Sequence, residues 1–458
     1  MLSHNRTIAA IATGEAVGGI GVIRISGDDA RGIADKVFRS QSGATMRESK
    51  GYRAHYGHVY DHTGWEDEAV ALVFAAPHSY TGEDVVELHC HGGLTTTRMA
   101  LRACISAGAS PAEAGEFTRR AFENGKLSLT QAEAVMAIIS AEGRQAACAA
   151  QSAHDGRLAT RVRDITAQLT TLAGKLAAWC DFPDEEDIPA VTAKELESGL
   201  GEAAEKLERL VKEGESGAML RGGIDTVICG KPNVGKSTLM NLLAGCEKSI
   251  VTDIPGTTRD IVEEKISIGG CVLRLSDTAG IHDTDDKIET IGVDRAKKRL
   301  AECALMIAVF DGSHALDSDD IALLEQIGNK PCVAVVNKND KGILIDKQYI
   351  ESKIQHTVYI SAASGDGIDA LEKAILQVTE LDKLNTSAGI IINERQISCA
   401  MRAYDAVREA LDAVLSGMTF DAVNVSICDA IDCLLELSGD RVTDRVVDEV
   451  FSHFCVGK

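Results

Sequence analysis

Residues 230–237 read Gly230-Lys231-Pro232-Asn233-Val234-Gly235-Lys236-Ser237, directly after the apolar run Ile224–Cys229 and directly before the helix-forming stretch Thr238–Leu243. A strand that feeds a glycine-bearing loop and then opens a helix confines this part of the chain to a parallel α/β sheet with helices on its faces. The chemistry of the loop is equally confined. Its glycines let backbone N–H groups converge, and the helix N-terminus adds partial positive charge, so the loop is suited to enclosing phosphate oxygens. Asn233, Val234, Gly235 and Thr238 belong to this cradle, Lys236 is placed to reach the β- and γ-phosphates, and Ser237 offers a hydroxyl to Mg²⁺.

Three further strings follow in order, each at the end of a β-rich run. Asp277-Thr278-Ala279-Gly280 comes after Leu273–Leu275, where an aspartate can hold Mg²⁺ through water and a glycine amide can sense the γ-phosphate. Asn337-Lys338-Asn339-Asp340 comes after Val333–Val336. The Asp340 carboxylate can accept both the N1–H and the exocyclic amine of guanine, whereas adenine offers the opposite pattern at that edge. Ser361-Ala362-Ala363 then supports the base from its other side. The expected nucleotide is therefore GTP, not ATP. Between the first two strings, Thr252, Asp253, Ile254, Pro255, Gly256, Thr257 and Thr258 occupy the place of a switch loop, with Thr258 the expected second Mg²⁺ hydroxyl. Residue 281 is isoleucine, where Ras-type proteins carry a water-orienting glutamine. Isoleucine cannot polarise water, so the catalytic group must come from elsewhere. Asp283, Asp285, Asp286 and Glu289 are candidates, although a charge run is usually a solvated face and gives Glu289 no special claim by itself.

At 458 residues the chain is long enough for roughly three domains. Short β-rich runs broken by glycine, among them Ile20–Ile25, Ala69–Phe74 and Val85–Leu88, predict an α+β domain over residues 1–122. Leu158, Val162, Ile165, Leu169, Leu172, Leu176 and Trp179 then alternate spacings of four and three, which predicts one long helix with a packing seam. At about three heptads the seam suits an intramolecular bundle better than a dimeric coiled coil. Helical period returns after the α/β stretch, with Met401, Tyr404, Val407, Leu411 and Val414 on one stripe and Ile427, Ile431 and Leu434 on another. The expected architecture is multidomain α/β: an N-terminal domain over 1–122, a helical domain in two segments, 123–216 and 384–458, and a P-loop domain inserted over 217–383.

Forty-seven Lys and Arg against 69 Asp and Glu leave a net charge of −22, which excludes a generally basic nucleic-acid surface but leaves room for a local patch. Aromatics at 4% argue against several base-stacking platforms. The 13 cysteines follow no secreted-scaffold spacing, the first residues form no apolar leader core, and no apolar run has spanning length. A cytoplasmic location without a membrane span is expected. His89-Cys90-His91 does not predict a metal site, because neighbouring side chains on a strand face opposite ways.

Taken with the nucleotide strings, Gly18–Gly27, Tyr80–Glu87, Gly115–Phe122 and the terminal Phe454-Cys455-Val456-Gly457-Lys458 make the whole chain resemble the bacterial tRNA-modification GTPases of the MnmE/TrmE family. The resemblance implies a Ras-like GTPase domain and a homodimer. It also implies a heterotetramer with a flavin-dependent partner of the GidA/MnmG type, and formation of a carboxymethylaminomethyl group at C5 of the tRNA wobble uridine. It implies a folate cofactor, 5-formyl- or 5,10-methylene-tetrahydrofolate, held by the N-terminal domain at positions matching Arg24, Glu87, Lys126 and Lys458. It further implies K⁺ at Asn233, Thr252, Ile254 and Thr257 in place of an arginine finger, Glu289 as general base through a bridging water, and Cys455 as a residue needed for modification. His282 departs from the arginine expected there. The competing expectation is a ribosome-assembly switch GTPase that modifies nothing; it shares the nucleotide strings, but the acidic balance and lack of a basic RNA-binding module count against it. A folate enzyme merely regulated by GTP is a third.

Overall fold

The computed structural model describes residues 6–14, 16–181, 191–246, 264–275, 303–328 and 330–458. The chain forms two compact units, Met1–Met136 with Leu435–Lys458, and Ala137–Leu434.

In the first unit, the elements run β1 (Ile8–Ile11), β2 (Ile20–Ser26), α1 (Ala30–Val37), β3 (Phe38–Ser40), β4 (Arg53–Tyr60), β5 (Glu66–Phe74), β6 (Val85–His91), α2 (Leu94–Ser106), β7 (Ser110–Pro111), α3 (Glu116–Glu123) and α4 (Leu129–Ser140). Seven strands form one sheet in the order β3-β4-β5-β6-β2-β1-β7. Alternation decides its faces: Ile23 and Ile25 of β2 and Val86, Leu88 and Cys90 of β6 are buried in one core with α1 and α2. The antiparallel register of β2 and β6 sets Arg24 directly opposite Glu87 on the other face. Helix α2 packs so closely on β2 that a Cβ on Gly21 would lie 2.1 Å from Thr97 Cγ2. The end of the chain returns to this unit. There Phe451 and Phe454 bury against Leu129 and Ala132 of α4, with Phe122 beside them.

The second unit continues with α5 (Arg144–His154), α6 (Arg157–Asp181), α7 (Ala193–Gly222), β8 (Ile224–Cys229), α8 (Lys236–Cys246), β9 (Glu264–Ile268), β10 (Cys271–Leu275), β11 (Leu305–Asp311), α9 (Ser318–Ile327), β12 (Cys332–Asn337), α10 (Lys347–Lys353), β13 (His356–Tyr359), α11 (Ile368–Val378), α12 (Glu394–Leu415) and α13 (Phe420–Ser438). A last helix, α14 (Asp444–Ser452), belongs to the first unit and precedes the tail. The sheet order is β13-β12-β11-β8-β10-β9, parallel except for the β9–β10 hairpin. Strands β11 and β12 are apolar almost throughout, as strands covered on both faces must be.

Helix α6 buries Leu158, Val162, Ile165, Leu169, Leu172 and Leu176 of the expected seam, while Trp179 at its end is only half-buried. Helix α7 packs along α12, so chain segments before and after the α/β stretch share one helical domain. The expected stripe of α12 holds at Val407 and Val414 but not at Met401. Met401 is 44% exposed, and the buried face is Cys399, Ala400, Ala403, Val407, Ala410, Ala413 and Val414. Close helix packing selects small side chains here, a choice that hydrophobicity alone does not reveal. The same closeness holds at α7, where a Cβ on Gly217 would lie 2.8 Å from Ile391 O. Helix α5 begins at Gly143, which has no capping side chain, and the β9–β10 turn supplies the missing acceptor: Gln145 N donates to Gly270 O at 3.0 Å and its amide Nε2 to Gly269 O at 3.0 Å.

Candidate functional site: a phosphate loop and a purine-reading corner

The loop after β8 is shaped by three residues in left-handed or positive-φ backbone: Gly230 at 146°, Asn233 at 63° and Gly235 at 101°. Two of them have no room for a side chain. A Cβ on Gly230 would lie 2.3 Å from Val309 O, and one on Gly235 would lie 2.2 Å from Asn337 Nδ2. The loop therefore closes against β11 and β12, and α8 starts at Lys236 with Ser237 and Thr238 exposed at its first turn. Lys236 Nζ donates to Gly230 O and Lys231 O, both at 2.7 Å, which holds the ammonium over the loop. Burial holds its pKa below the usual lysine value.

Asn337, only 3% exposed, ends β12 and joins two of the predicted strings. Its Nδ2 donates to Val234 O at 2.9 Å, and its Oδ1 accepts from Ala362 N at 2.9 Å. The neighbouring Lys338 adopts φ 64° and donates to Asn233 O at 2.8 Å. Asp340 is exposed, and its Oδ1 accepts from Ser361 Oγ at 2.7 Å. Ser361 and Ala362 are buried behind it while Ala363 is exposed. Asn233, Val234, Gly235, Lys236, Asn337, Lys338, Asp340, Ser361 and Ala362 thus meet in one corner at the carboxyl ends of parallel strands, where ligands of open α/β sheets bind.

Asp311 belongs to this corner although the sequence reading passed over it. It ends β11 and accepts from Lys338 Nζ at 2.6 Å and from Ser313 N at 3.0 Å. Burial works to raise its pKa, but the Lys338 ammonium and the Ser313 bonds outweigh burial and hold the carboxyl well below the usual range. An aspartate closing an apolar strand was the available signal. Thr252, Asp253, Ile254, Pro255, Gly256, Thr257, Thr258, Asp277, Thr278, Ala279, Gly280, His282 and Glu289 lie outside the described residues.

A second cluster forms in the first unit. Arg24 Nε donates to Glu87 Oε1 at 2.8 Å, and its guanidinium lies 5.4 Å from the ring centre of Tyr80 and 5.6 Å from that of Phe117. The chain end is threaded beside it: Ala114 bridges to Val456, Phe117 N donates to Lys458 O at 3.1 Å, and Gly115 N donates to Cys455 O at 3.3 Å. Burial, then the Arg24 charge, depress the Lys458 pKa against the pull of Glu87. Cys455 is exposed. Lys126 stands apart in its bonding, with Nζ donating to Pro77 O at 3.0 Å. The Cys90 thiol is turned into the core and raised to about 11, mainly by burial, while the flanking His91 pairs with Asp67 at 2.6 Å.

The signature strings of this unit also hold it together. Glu116, with a side chain 1% exposed, meets Arg120 at 2.8 Å and Arg6 at 2.9 Å, and Arg120 reaches Glu83 at 3.1 Å. Ser26 donates to Glu83 at 2.7 Å, and Asn124 donates to Thr81 O at 2.7 Å. Three stretches far apart in sequence are thus joined, Gly115–Phe122 to Tyr80–Glu87 by an ion pair and Gly18–Gly27 to Tyr80–Glu87 by the Ser26 hydroxyl.

A P-loop domain whose strand ends gather an Asn-Lys-Asn-Asp corner defines a guanine-nucleotide-binding protein of the Ras-like class. Family models agree on which one: residues 7–126 match the GTP-binding protein TrmE N-terminus, and residues 129–455 match the MnmE helical domain. The chain belongs to the MnmE/TrmE family. It is 39% identical over 455 residues to the tRNA modification GTPase MnmE of Clostridioides difficile, with 99% of each chain covered. It is also 39% identical over 460 residues to that of Acetivibrio thermocellus, again covering 99% of each. Among solved structures, the G domain of the T. maritima FeoB iron transporter covers 34% of this chain and 98% of its own at 26% identity, with a TM-score of 0.26.

Proposed function

We infer that this protein is a GTPase acting in tRNA modification. The single observation that supports this most is the Asn337 amide joining the phosphate loop to the Ser361-Ala362 support in a chain that belongs, over its length, to the MnmE/TrmE family. Asp340 reads guanine through its carboxylate, and the loop amides with Lys236 hold the phosphates.

The finer reading is also ours. Ser237 and Thr258 are hydroxyl donors suited to Mg²⁺, a hard cation that takes oxygen ligands. Asn233, Thr252, Ile254 and Thr257 would hold K⁺ through neutral oxygens, and the ion would supply positive charge beside the phosphates. We assign Thr252 to Thr258 and Asp277 to Gly280 to nucleotide binding, and Glu289 to the general base that acts through a bridging water. Arg24, Lys126 and Lys458 offer cations to the carboxylates of a tetrahydrofolate, and Glu87 accepts from its pterin ring. Cys455 serves the modification and not GTP hydrolysis.

The protein works in the cytoplasm as a homodimer, with a GidA/MnmG-type flavin protein in a heterotetramer, on the wobble uridine of tRNA. Among the described residues no helix is long and apolar enough to cross a membrane. The division at residues 122, 216 and 383 is part of this reading. GTP turnover in KCl against NaCl is the first test, and equal slow rates in both would remove the cation role. Glu289→Ala should keep nucleotide binding and lose hydrolysis. Mass spectrometry of tRNA nucleosides from cells lacking the gene tests the modification, since unmodified wobble uridines are expected.

A further inference from the structure

Lys231, the second residue of the phosphate loop, has no role in the reading above, yet its side chain pairs with two carboxylates. Its Nζ meets Asp317 Oδ2 at 2.5 Å and Asp320 Oδ2 at 2.8 Å. Both carboxylates belong to the start of α9: Asp317 is the N-cap, accepting from Asp319 N and Asp320 N, and Asp320 closes the capping box by accepting from Asp317 N. Asp320 is 4% exposed, and its other oxygen, Oδ1, has no hydrogen-bond partner. A buried carboxylate with one oxygen unserved depends on the cation at the other. The two acids together raise the Lys231 pKa against burial, which lowers it, so the lysine stays charged.

The backbone of the same residue faces the chemistry. Lys231 O is one of the two carbonyls that hold Lys236 Nζ, at 2.7 Å. Pro232 follows, and a residue before proline is restricted to extended backbone. With its side chain tied to α9 and its backbone confined by Pro232, Lys231 has little freedom to turn its carbonyl away from Lys236. We propose that Lys231, clamped by Asp317 and Asp320, is a positioning residue that aims Lys236 at the terminal phosphate of the nucleotide. The helix after β11 thereby takes part in triphosphate recognition without touching the ligand. This rests on the guanine-nucleotide reading of the same loop.

The test is equilibrium binding of a fluorescent GDP and a fluorescent non-hydrolysable GTP analogue to the full chain, with melting temperature read alongside. Lys231→Ala should weaken the triphosphate analogue about tenfold, the loss of one charge-assisted bond, and weaken GDP clearly less. Lys231→Arg, which keeps a cation within reach of both carboxylates, should restore the preference for triphosphate. The double variant Asp317→Asn with Asp320→Asn should reproduce the alanine pattern. Wild-type affinities in Lys231→Ala overturn the proposal. So does an equal loss of both nucleotides with a lowered melting temperature, because the residue would then only support the fold. A wild-type chain that binds neither nucleotide refutes the guanine-nucleotide reading itself, so the two failures are distinguishable.

Discussion

The phosphate corner and the Arg24 cluster are built on opposite plans. The corner takes its shape from short contiguous strings: the loop after β8 turns on Gly230, Asn233 and Gly235, and it meets Asn337 and Lys338 at the carboxyl end of β12, across the intervening β11. The Arg24 cluster takes one residue from β2, one from β6 and the last residue of the chain. Its members are single positions whose proximity depends on strand register and on the tail being threaded past Gly115. A motif-built site survives as long as its own loop does, whereas a register-built site is only as secure as the packing that fixes the register.

That contrast can be broken by mutation. The largest effect is expected at Glu116, where alanine would take a buried carboxylate partner from both Arg120 and Arg6, leaving them Glu83 and Glu113, and cost about 3 kcal/mol of unfolding stability. Folate binding should fall with it while GTP affinity holds, read by denaturant melts and by titration of both ligands. Loss of both affinities together would deny the difference between the sites. Asn337→Ala removes two buried bonds and should cost about 3 kcal/mol of guanine-nucleotide affinity, roughly a hundredfold, with folate titrations unchanged.

Smaller effects sharpen the comparison. Arg24→Ala, and separately deletion of Gly457 and Lys458, should each weaken formyl-tetrahydrofolate by about tenfold in calorimetry, since each removes a charge-assisted contact. GTP turnover should stay at the wild-type rate in both. The smallest effects concern pH, and they have opposite signs. For Glu116, burial raises the pKa but the Glu113 amide and the Arg120 and Arg6 charges outweigh it, so the folded-state pKa is lowered. Its stabilisation is present above the ordinary value of 4.5 and is lost as pH falls through the lowered one. His91 is raised from 6.5 by its bond to Asp67, so its contribution is full below 6.5 and fades as pH rises through the higher folded-state value. Comparing melts of Glu116→Gln and His91→Ala with wild type across pH 3–9 checks both directions, the second being slight because His91 is exposed.

Legibility in the sequence followed the same division. The α6 seam, the parallel strands and the phosphate loop could be read directly, because each rests on a local period or a contiguous string. On α12 only Val407 and Val414 of the expected stripe are buried, and alanines and a cysteine, not Met401, complete the buried face. Arg24 and Lys126 look like surface cations until a family resemblance singles them out, and only Arg24 then has a charged partner at hand. Asp311 showed only as an aspartate closing an apolar strand, and the clamp on Lys231 left no string to find.

The sequence by itself determined that this chain carries a guanine-nucleotide loop inside a helical frame, because backbone geometry at glycine and the hydrogen-bonding edge of a carboxylate are properties of a few neighbouring residues. Only the tertiary structure decided that Glu87 faces Arg24, that Lys458 ends beside them, and that two aspartates of α9 hold the loop lysine. Those pairings join positions up to hundreds of residues apart, and such a distance is closed by strand register and core packing, which no short string encodes.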